Sequence, residues 1–275
     1  MNILSIDFED WFHPELIQKY LTKKGEPKVI NGIDKVLDWL RKTETYATFF
    51  VVGELLQFKP QLIDKILAGG HEIGFHTMYH TRLDAPGFKI RFDEELKAFD
   101  ILTSDESKGF RAPTFSLSRS SAWVIDSLVK NGYLYDSSVV PAKTNMYGLP
   151  DAESRPYRIS SKNLTQDDPQ SKIMEFPLLT TRFLGKKIPA AGGFYIRFLP
   201  SKIINGAIET NEKKGIPSCL YVHSWELTPE FMPKIAMSFK DNFITYHNIE
   251  NTLDKMTNIL KKFQFTSFRR YLNIS

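Results

Sequence analysis

An α/β fold built on parallel strands is what the sequence predicts, and three observations predict it. Apolar runs of strand length alternate with segments whose apolar residues recur at helical spacing, Gly and Pro punctuate the changeovers, and polar or titratable residues stand at the ends of the apolar runs. Alternation of this kind implies parallel strands joined by right-handed crossovers.

The first run, Ile3-Leu4-Ser5-Ile6, reads as a buried strand delivering a carboxylate cluster (Asp7, Glu9, Asp10) at its C-terminal end. Residues 32–42 carry Ile33, Val36, Leu37 and Leu40 at helical spacing, and a continuous apolar strand follows over 47–52, ending at Gly53. The helical pattern returns over 60–68 with Leu62, Ile63, Ile66 and Leu67; Gly69-Gly70 stops it, and 72–75 is a short strand before His76. Helices are predicted over 93–102 and 120–131, with strands over 108–111 and 133–136. Residues 141–189, with Pro, Asn, Ser and Asp throughout, read as an irregular insertion over one face of a single domain spanning 1–275. A helix over 200–214, a strand over 219–222 ending in His223, and a helix over 249–263 complete the pattern. Asp7, His76, Arg111, Asp136 and His223 thus stand at strand ends, where parallel α/β barrels place their chemistry.

Composition narrows the function. With 275 residues, 42% hydrophobic and 25% charged, the chain can bury one sizeable core. Its formal net charge of +4 is spread without a basic stripe, which argues against a nucleic-acid partner. The single cysteine, Cys219, excludes an intramolecular disulfide, and the start of the chain has no basic segment followed by an apolar one, so a cytoplasmic location is expected. No run approaches the ~18 apolar residues of a membrane span. A membrane-surface association through Phe263, Phe265 and Phe268, beside Lys261, Lys262, Arg269 and Arg270, is weighed against an amphipathic last element packed on the body, and the packed reading is favoured. Oligomeric state is not readable.

His76-Thr77-Met78-Tyr79-His80 sets two imidazoles four residues apart, so that on one helical turn both would face the same way and share a metal. A third ligand is needed, and the first cluster supplies carboxylates; two imidazoles and one carboxylate with open positions suit a catalytic zinc or another borderline divalent ion.

The segments Ala47-Thr48-Phe49-Phe50-Val51-Val52-Gly53-Glu54 and Gly70-His71-Glu72-Ile73-Gly74-Phe75-His76-Thr77-Met78-Tyr79-His80 resemble the NodB-type polysaccharide deacetylases of carbohydrate esterase family four. Phe110-Arg111-Ala112-Pro113 resembles that family's Arg-x-Pro motif, Tyr135-Asp136-Ser137-Ser138 lies where a functional Asp is expected, and Leu220-Tyr221-Val222-His223 resembles the strand ending in a catalytic His. Asp7-Phe8-Glu9-Asp10, Gly192-Gly193-Phe194-Tyr195 and His223-Ser224-Trp225-Glu226 look like the exopolysaccharide-associated branch. The resemblance implies a distorted (β/α) barrel that hydrolyses the N-acetyl amide of an N-acetylated sugar or oligosaccharide. By resemblance, Asp10, His76 and His80 hold a divalent metal, zinc being the expected ion, and Asp7 or Glu9 is the base, with Asp7 favoured. Arg111 orients that base, and His223, tuned by Asp136, protonates the leaving amine. The oxyanion is expected against the metal and a backbone N–H after the first cluster or after Pro113.

Aromatic residues Trp11, Phe115, Tyr195 and Trp225 are candidates for a sugar platform; Glu226 is placed with the substrate contacts, His13 is a further contact, and His71 is read as a core or capping histidine. The segment 141–189 is expected to roof the site and set substrate choice. Two other functions compete: a metal-independent cyclic-amide hydrolase related to allantoinase, and a silent carbohydrate-binding protein. Retention of both histidines with an acidic cluster argues against each.

Overall fold

The computed structural model describes residues 1–274. Its strands are β1 (Asn2–Phe8), β2 (Thr48–Val51), β3 (Glu72–Phe75), β4 (Gly109–Phe110), β5 (Tyr135–Asp136), β6 (Tyr157–Ile159), β7 (Ile173–Glu175), β8 (Thr180–Phe183), β9 (Lys186–Pro189), β10 (Cys219–His223) and β11 (Phe265–Thr266). The main sheet runs β10-β1-β2-β3-β4-β5-β7-β6, parallel throughout except for the last pair. Strand β11 pairs with Asn2 and Ile3, on the edge of β1 that β2 takes over from Ser5 onward. Leu178, just past β7, bridges to Cys219 of β10, so the sheet curls round on itself as an incompletely closed barrel.

All seven residues of β1 are buried, because the strand is covered on both faces, and that is why its sequence reads as a continuous run and not an alternating one. Helix Ile33–Lys42 buries Ile33, Val36, Trp39 and Leu40 on one stripe, and helix Gln61–Ala68 buries Leu62 and Ile66. The core is rich in phenylalanine: Phe75 alone meets the rings of Phe92, Phe99 and Phe110 at 4.8–5.9 Å. A smaller apolar cluster of Trp11, Phe12, Ile17, Val29, Trp225, Met232 and Ile249 lies beneath the loop that follows β1.

Two expectations change. The segment 141–189 is not structureless: β7 joins the main sheet beside β5, β6 pairs antiparallel to it, and β8–β9 form a separate hairpin. These strands are only three or four residues long between polar turns, so composition conceals them. Helices Gly53–Phe58, Phe194–Phe198, Ser224–Leu227 and Phe239–Tyr246 are also additions, too short for periodicity to reveal. At the C-terminus Phe263, Phe265 and Phe268 are buried, and Phe268 stacks on Tyr135 at 4.7 Å, so these rings belong to the core. Among the described residues no helix is long and apolar enough to cross a membrane.

Candidate active site

The C-terminal ends of β1, β3, β4 and β10 open onto one cleft. Asp7 and His223 are register partners across the parallel pair β1–β10, and both line the cleft with Glu9, His80, Thr114, Phe115, Tyr221 and Trp225. The cleft holds about 740 Å³ of space, its open mouth included.

Its floor is a carboxylate among three imidazoles. Glu9 Oε1 lies 3.2 Å from His80 Nε2, 3.5 Å from His76 Nε2 and 3.8 Å from His223 Nε2. Burial opposes ionisation of Glu9, but the charges of His80 and His223 and the close approach of the His76 and His80 rings outweigh it and hold the carboxyl well below its usual range. His76 Nδ1 donates to the carbonyl of Arg111 at 2.7 Å, which assigns its proton to that nitrogen and leaves a bare lone pair on Nε2. Among the described residues, buried Glu9 Oε2, His76 Nε2 and His80 Nε2 have no hydrogen-bond partner, an arrangement that costs free energy unless something else satisfies it. Glu9, His76 and His80 offer ligand atoms within 4.8 Å of one another. The donor set, two imidazole nitrogens and one carboxylate, fits a divalent cation.

The histidines converge by a different route from the expected helical turn. Residues after Phe75 form a loop in which Thr77 and His80 both take positive φ, 57° and 55°. Gly53 and Glu54 N–H groups donate to the carbonyls of Thr77 and Met78, and Glu95 accepts from Met78 N–H, so the loop is pinned at both edges. A Cβ on Gly53 would meet Met78 Sδ at 2.2 Å, which explains glycine there.

Arg111 is fully buried. It donates to Asp7 Oδ1 at 2.6 Å, Ser5 Oγ at 2.8 Å, the Ser137 carbonyl at 2.9 Å and Ser137 Oγ at 2.8 Å, while its guanidinium lies 4.3 Å above the Phe50 ring. Asp7 is therefore held in one orientation by a fixed cation.

On the opposite wall His223 Nδ1 donates to Glu226 Oε2 at 2.7 Å, and Glu226 Oε1 accepts from Arg197 Nε at 2.6 Å. Arg197 also donates to the carbonyls of His247 and Ile244 at 2.5 and 2.8 Å. Burial would lower the His223 pKa, but Glu226, Glu9 and Asp7 outweigh it and push it up to about 9, while the same contacts with Arg197 and His223 bring Glu226 down to about 2 against its burial. Trp225 stacks on the His223 ring at 4.7 Å. The Gly192-Gly193 step makes room: a Cβ on Gly192 would sit 1.9 Å from the Tyr221 carbonyl, and Gly193, at φ 52°, would bring one to 3.4 Å from the His223 ring.

Several sequence expectations are corrected. Asp10 does not join the histidines; its carboxylate turns away and accepts from the backbone N–H groups of Trp11, Lys28 and Ile30 at 2.9–3.1 Å, so Glu9 occupies the place expected for Asp10. Asp136 does not reach His223: it is fully buried, accepts from Ser138 Oγ and faces Glu175; burial raises the Asp136 carboxyl to about 6, and burial together with the charge of Asp136 raises that of Glu175. Glu226 lies beneath His223 at zero exposure, out of reach of a ligand. Trp11 is packed in the smaller core with its Nε1 donating to the Glu26 carbonyl, and Tyr195 is not part of the cleft wall; Phe115 and Trp225 are. His13 bonds Asp10 N–H through Nδ1 and Glu54 through Nε2, so both its nitrogens are engaged. His71 is buried, as read. Arg197, Tyr147 and Tyr221 are cleft residues the sequence reading missed; a buried arginine in Phe194-Tyr195-Ile196-Arg197-Phe198 was the one signal on offer.

Residues 28–133 match the family model described as Polysaccharide deacetylase, and residues 137–273 match a Domain of unknown function (DUF3473). A chitooligosaccharide deacetylase of Sinorhizobium fredii is 47% identical over 68 residues, 25% of this chain and 31% of that protein. A peptidoglycan-N-acetylglucosamine deacetylase of Bacillus cereus is 50% identical over 46 residues, 17% of this chain and 22% of that protein. The chain thus spans under a third of the length of these relatives. In fold it is similar to a candidate polysaccharide deacetylase from Mycobacterium smegmatis (TM-score 0.59, 15% identity, 99% of this chain and 89% of that one). An allantoinase shares the fold equally broadly (TM-score 0.55, 13% identity, 98% and 88%). The likeness to a polysaccharide deacetylase thus lies in residues 28–133 by family model, and the fold of the chain is shared with a structure of that description.

Proposed function

We propose that the chain is a metal-dependent hydrolase that removes the N-acetyl group from an amino sugar of a glycan. The observation carrying this reading is the convergence of unpartnered Glu9, His76 and His80 atoms between a clamped carboxylate, Asp7, and a buried His–Glu–Arg series. Glu9, His76 and His80 would hold the ion, and zinc is the ion we favour for two imidazoles and a carboxylate. When bound, such an ion acidifies water and polarises an amide oxygen.

The chain's own residues supply the proton transfers. Asp7 takes a proton from the attacking water as its oxygen adds to the acetamide carbon, and Arg111 fixes the carboxylate for that transfer. His223, protonated and held by Glu226, gives the Nε2 proton to the sugar nitrogen as the C–N bond breaks, releasing acetate and a free amine. Glu9, Asp10 and Trp11 N–H groups are already engaged, with Asp7, His13 and Asp10 as acceptors, so Thr114 after Pro113, which lines the cleft, is the backbone donor we assign to the oxyanion. The relatives' names support a deacetylase over a cyclic-amide hydrolase or a silent binder, and a binder has no use for this ring of titratable groups.

Acetate release from N-acetylated oligosaccharides tests the reading. Release should stop on chelation and return with stoichiometric zinc; no release from any N-acetylated glycan by metal-loaded protein would overturn it.

A further inference from the structure

The three residues assigned to the metal come from two loops, Glu9 from the one that follows β1 and His76 and His80 from the one that follows β3. The backbone of Glu9 is held from both sides. Its N–H donates to Ser224 Oγ at 3.1 Å, and that hydroxyl donates to the Glu9 carbonyl. On the far side lies the Glu9–Asp10 peptide, whose N–H donates to His13 Nδ1 at 2.8 Å. An accepting Nδ1 places the ring proton on Nε2, and Nε2 donates to Glu54 Oε1 at 2.8 Å. His13 is buried, and its ring lies 5.8 Å from that of His80.

Glu54 belongs to the other loop's support. It stands in the first turn of helix Gly53–Phe58, and the N–H groups of Gly53 and Glu54 donate to the carbonyls of Thr77 and Met78 at 3.0 and 2.8 Å. Both carbonyls lie in sequence between the two histidines. The series from Asp10 N–H through His13 and Glu54 to the Met78 carbonyl is therefore a strut from one ligand loop to the other. A bound ion tolerates ligand distances only within about ±0.2 Å, so the spacing of two loops without regular secondary structure has to be set by such cross-ties.

We propose that His13 and Glu54 are positioning residues for the metal site: neither reaches the ion, and together they set the spacing of Glu9 from His76 and His80. The inference rests on the proposed reading of Glu9, His76 and His80 as ligands and adds the pair that holds them in register.

Zinc affinity of the whole chain, measured by competition with a chromophoric chelator, tests this apart from turnover, and denaturant unfolding of the same samples reports on the fold. Glu54→Ala removes the acceptor for His13, while His13→Gln keeps a donor for Glu54 but loses the acceptor for Asp10 N–H. Each should lower zinc affinity about 10- to 100-fold. Glu54→Gln retains an oxygen facing His13 and should stay within about threefold of the parent. Lys24→Ala, which removes the exposed cation paired with Glu54, should leave affinity unchanged. Combining Glu54→Ala with His13→Gln should cost no more than the worse single change, because the same strut is cut. Lower unfolding midpoints with unchanged zinc affinity would make the pair purely structural and overturn the inference, leaving the deacetylase reading intact. Losses that add in the double variant would also overturn it, since the two residues would then act separately. The expected affinity losses in a chain that releases no acetate would support the strut and sink the deacetylase reading. No zinc binding by the parent would overturn both.

Discussion

Arg111 Nη1 and Asp7 Oδ1 stand 2.6 Å apart at the floor of the cleft, and the same guanidinium is tied to Ser5 and to Ser137 through both its carbonyl and its hydroxyl. An ion pair so fully desolvated fixes geometry more than it stabilises the fold. Asp7→Asn keeps the shape and removes the proton acceptor. Turnover should fall by about 10²–10⁴ with bound metal retained, read by deacetylation kinetics alongside metal analysis. Loss of the metal in Asp7→Asn would make Asp7 a ligand and leave the base unassigned.

The neighbouring acids separate in the same assay. Glu9→Gln should weaken metal affinity by about 10-fold or more, because it removes the one carboxylate among the histidines. Asp10→Asn should leave metal stoichiometry intact and instead lower stability by about 1–3 kcal/mol, since one amide oxygen cannot satisfy the three backbone N–H groups that the carboxylate now serves. Denaturant unfolding paired with a metal titration distinguishes the two; metal loss in Asp10→Asn with retention in Glu9→Gln would reverse the assignment.

Much of this arrangement was legible in the sequence. The parallel α/β order followed from strands whose burial on both faces makes them continuous apolar runs, and the histidine pair and Arg111 could be picked out because the segments carrying them resemble motifs of a known family. What was not legible depended on turns. Three acids in four residues cannot reveal which one a loop turns inward, and here the Lys28–Ile30 backbone captures Asp10 from 18 residues away. Glu226 is read as a ligand contact from its neighbours in sequence, yet the capping turn after β10 folds it under His223. Arg197 escaped notice because its partner lies 29 residues downstream.

His71 should make the fold sensitive to mild acid. Burial, with a smaller contribution from Arg270, lowers its pKa to about 4 from an ordinary 6.5, and its Nδ1 accepts from Ala47 N–H, so the folded chain holds it neutral. The unfolded chain takes up a proton below about 6.5 that the folded chain refuses until about 4, so stability falls as pH drops through that window, by about 3 kcal/mol from this group. His71→Gln should be less stable than the parent at pH 7 but lose less between pH 7 and 4. Parallel slopes in denaturant unfolding across that range would refute the assignment.

The series Arg197–Glu226–His223 gives the last prediction, which separates orientation of the acid from metal binding. Glu226 touches neither His76 nor His80, and its two oxygens are taken by His223 Nδ1 and Arg197 Nε. Glu226→Gln therefore should not change metal affinity. It removes the charge that holds the imidazole proton on Nδ1 and steadies the protonated ring, so kcat should fall by about 10²–10⁴. It also leaves Arg197, only 4% exposed, without its carboxylate, and an uncompensated buried charge costs about 3–5 kcal/mol. If that account of the stability loss is right, Glu226→Gln combined with Arg197→Met should recover most of the lost stability, because no unpaired charge remains, while activity stays low. Stability measured by denaturant and kcat measured on the same samples decide it: recovery of both together would show that Glu226 acts only by keeping the fold intact, and recovery of stability alone would show that it positions His223.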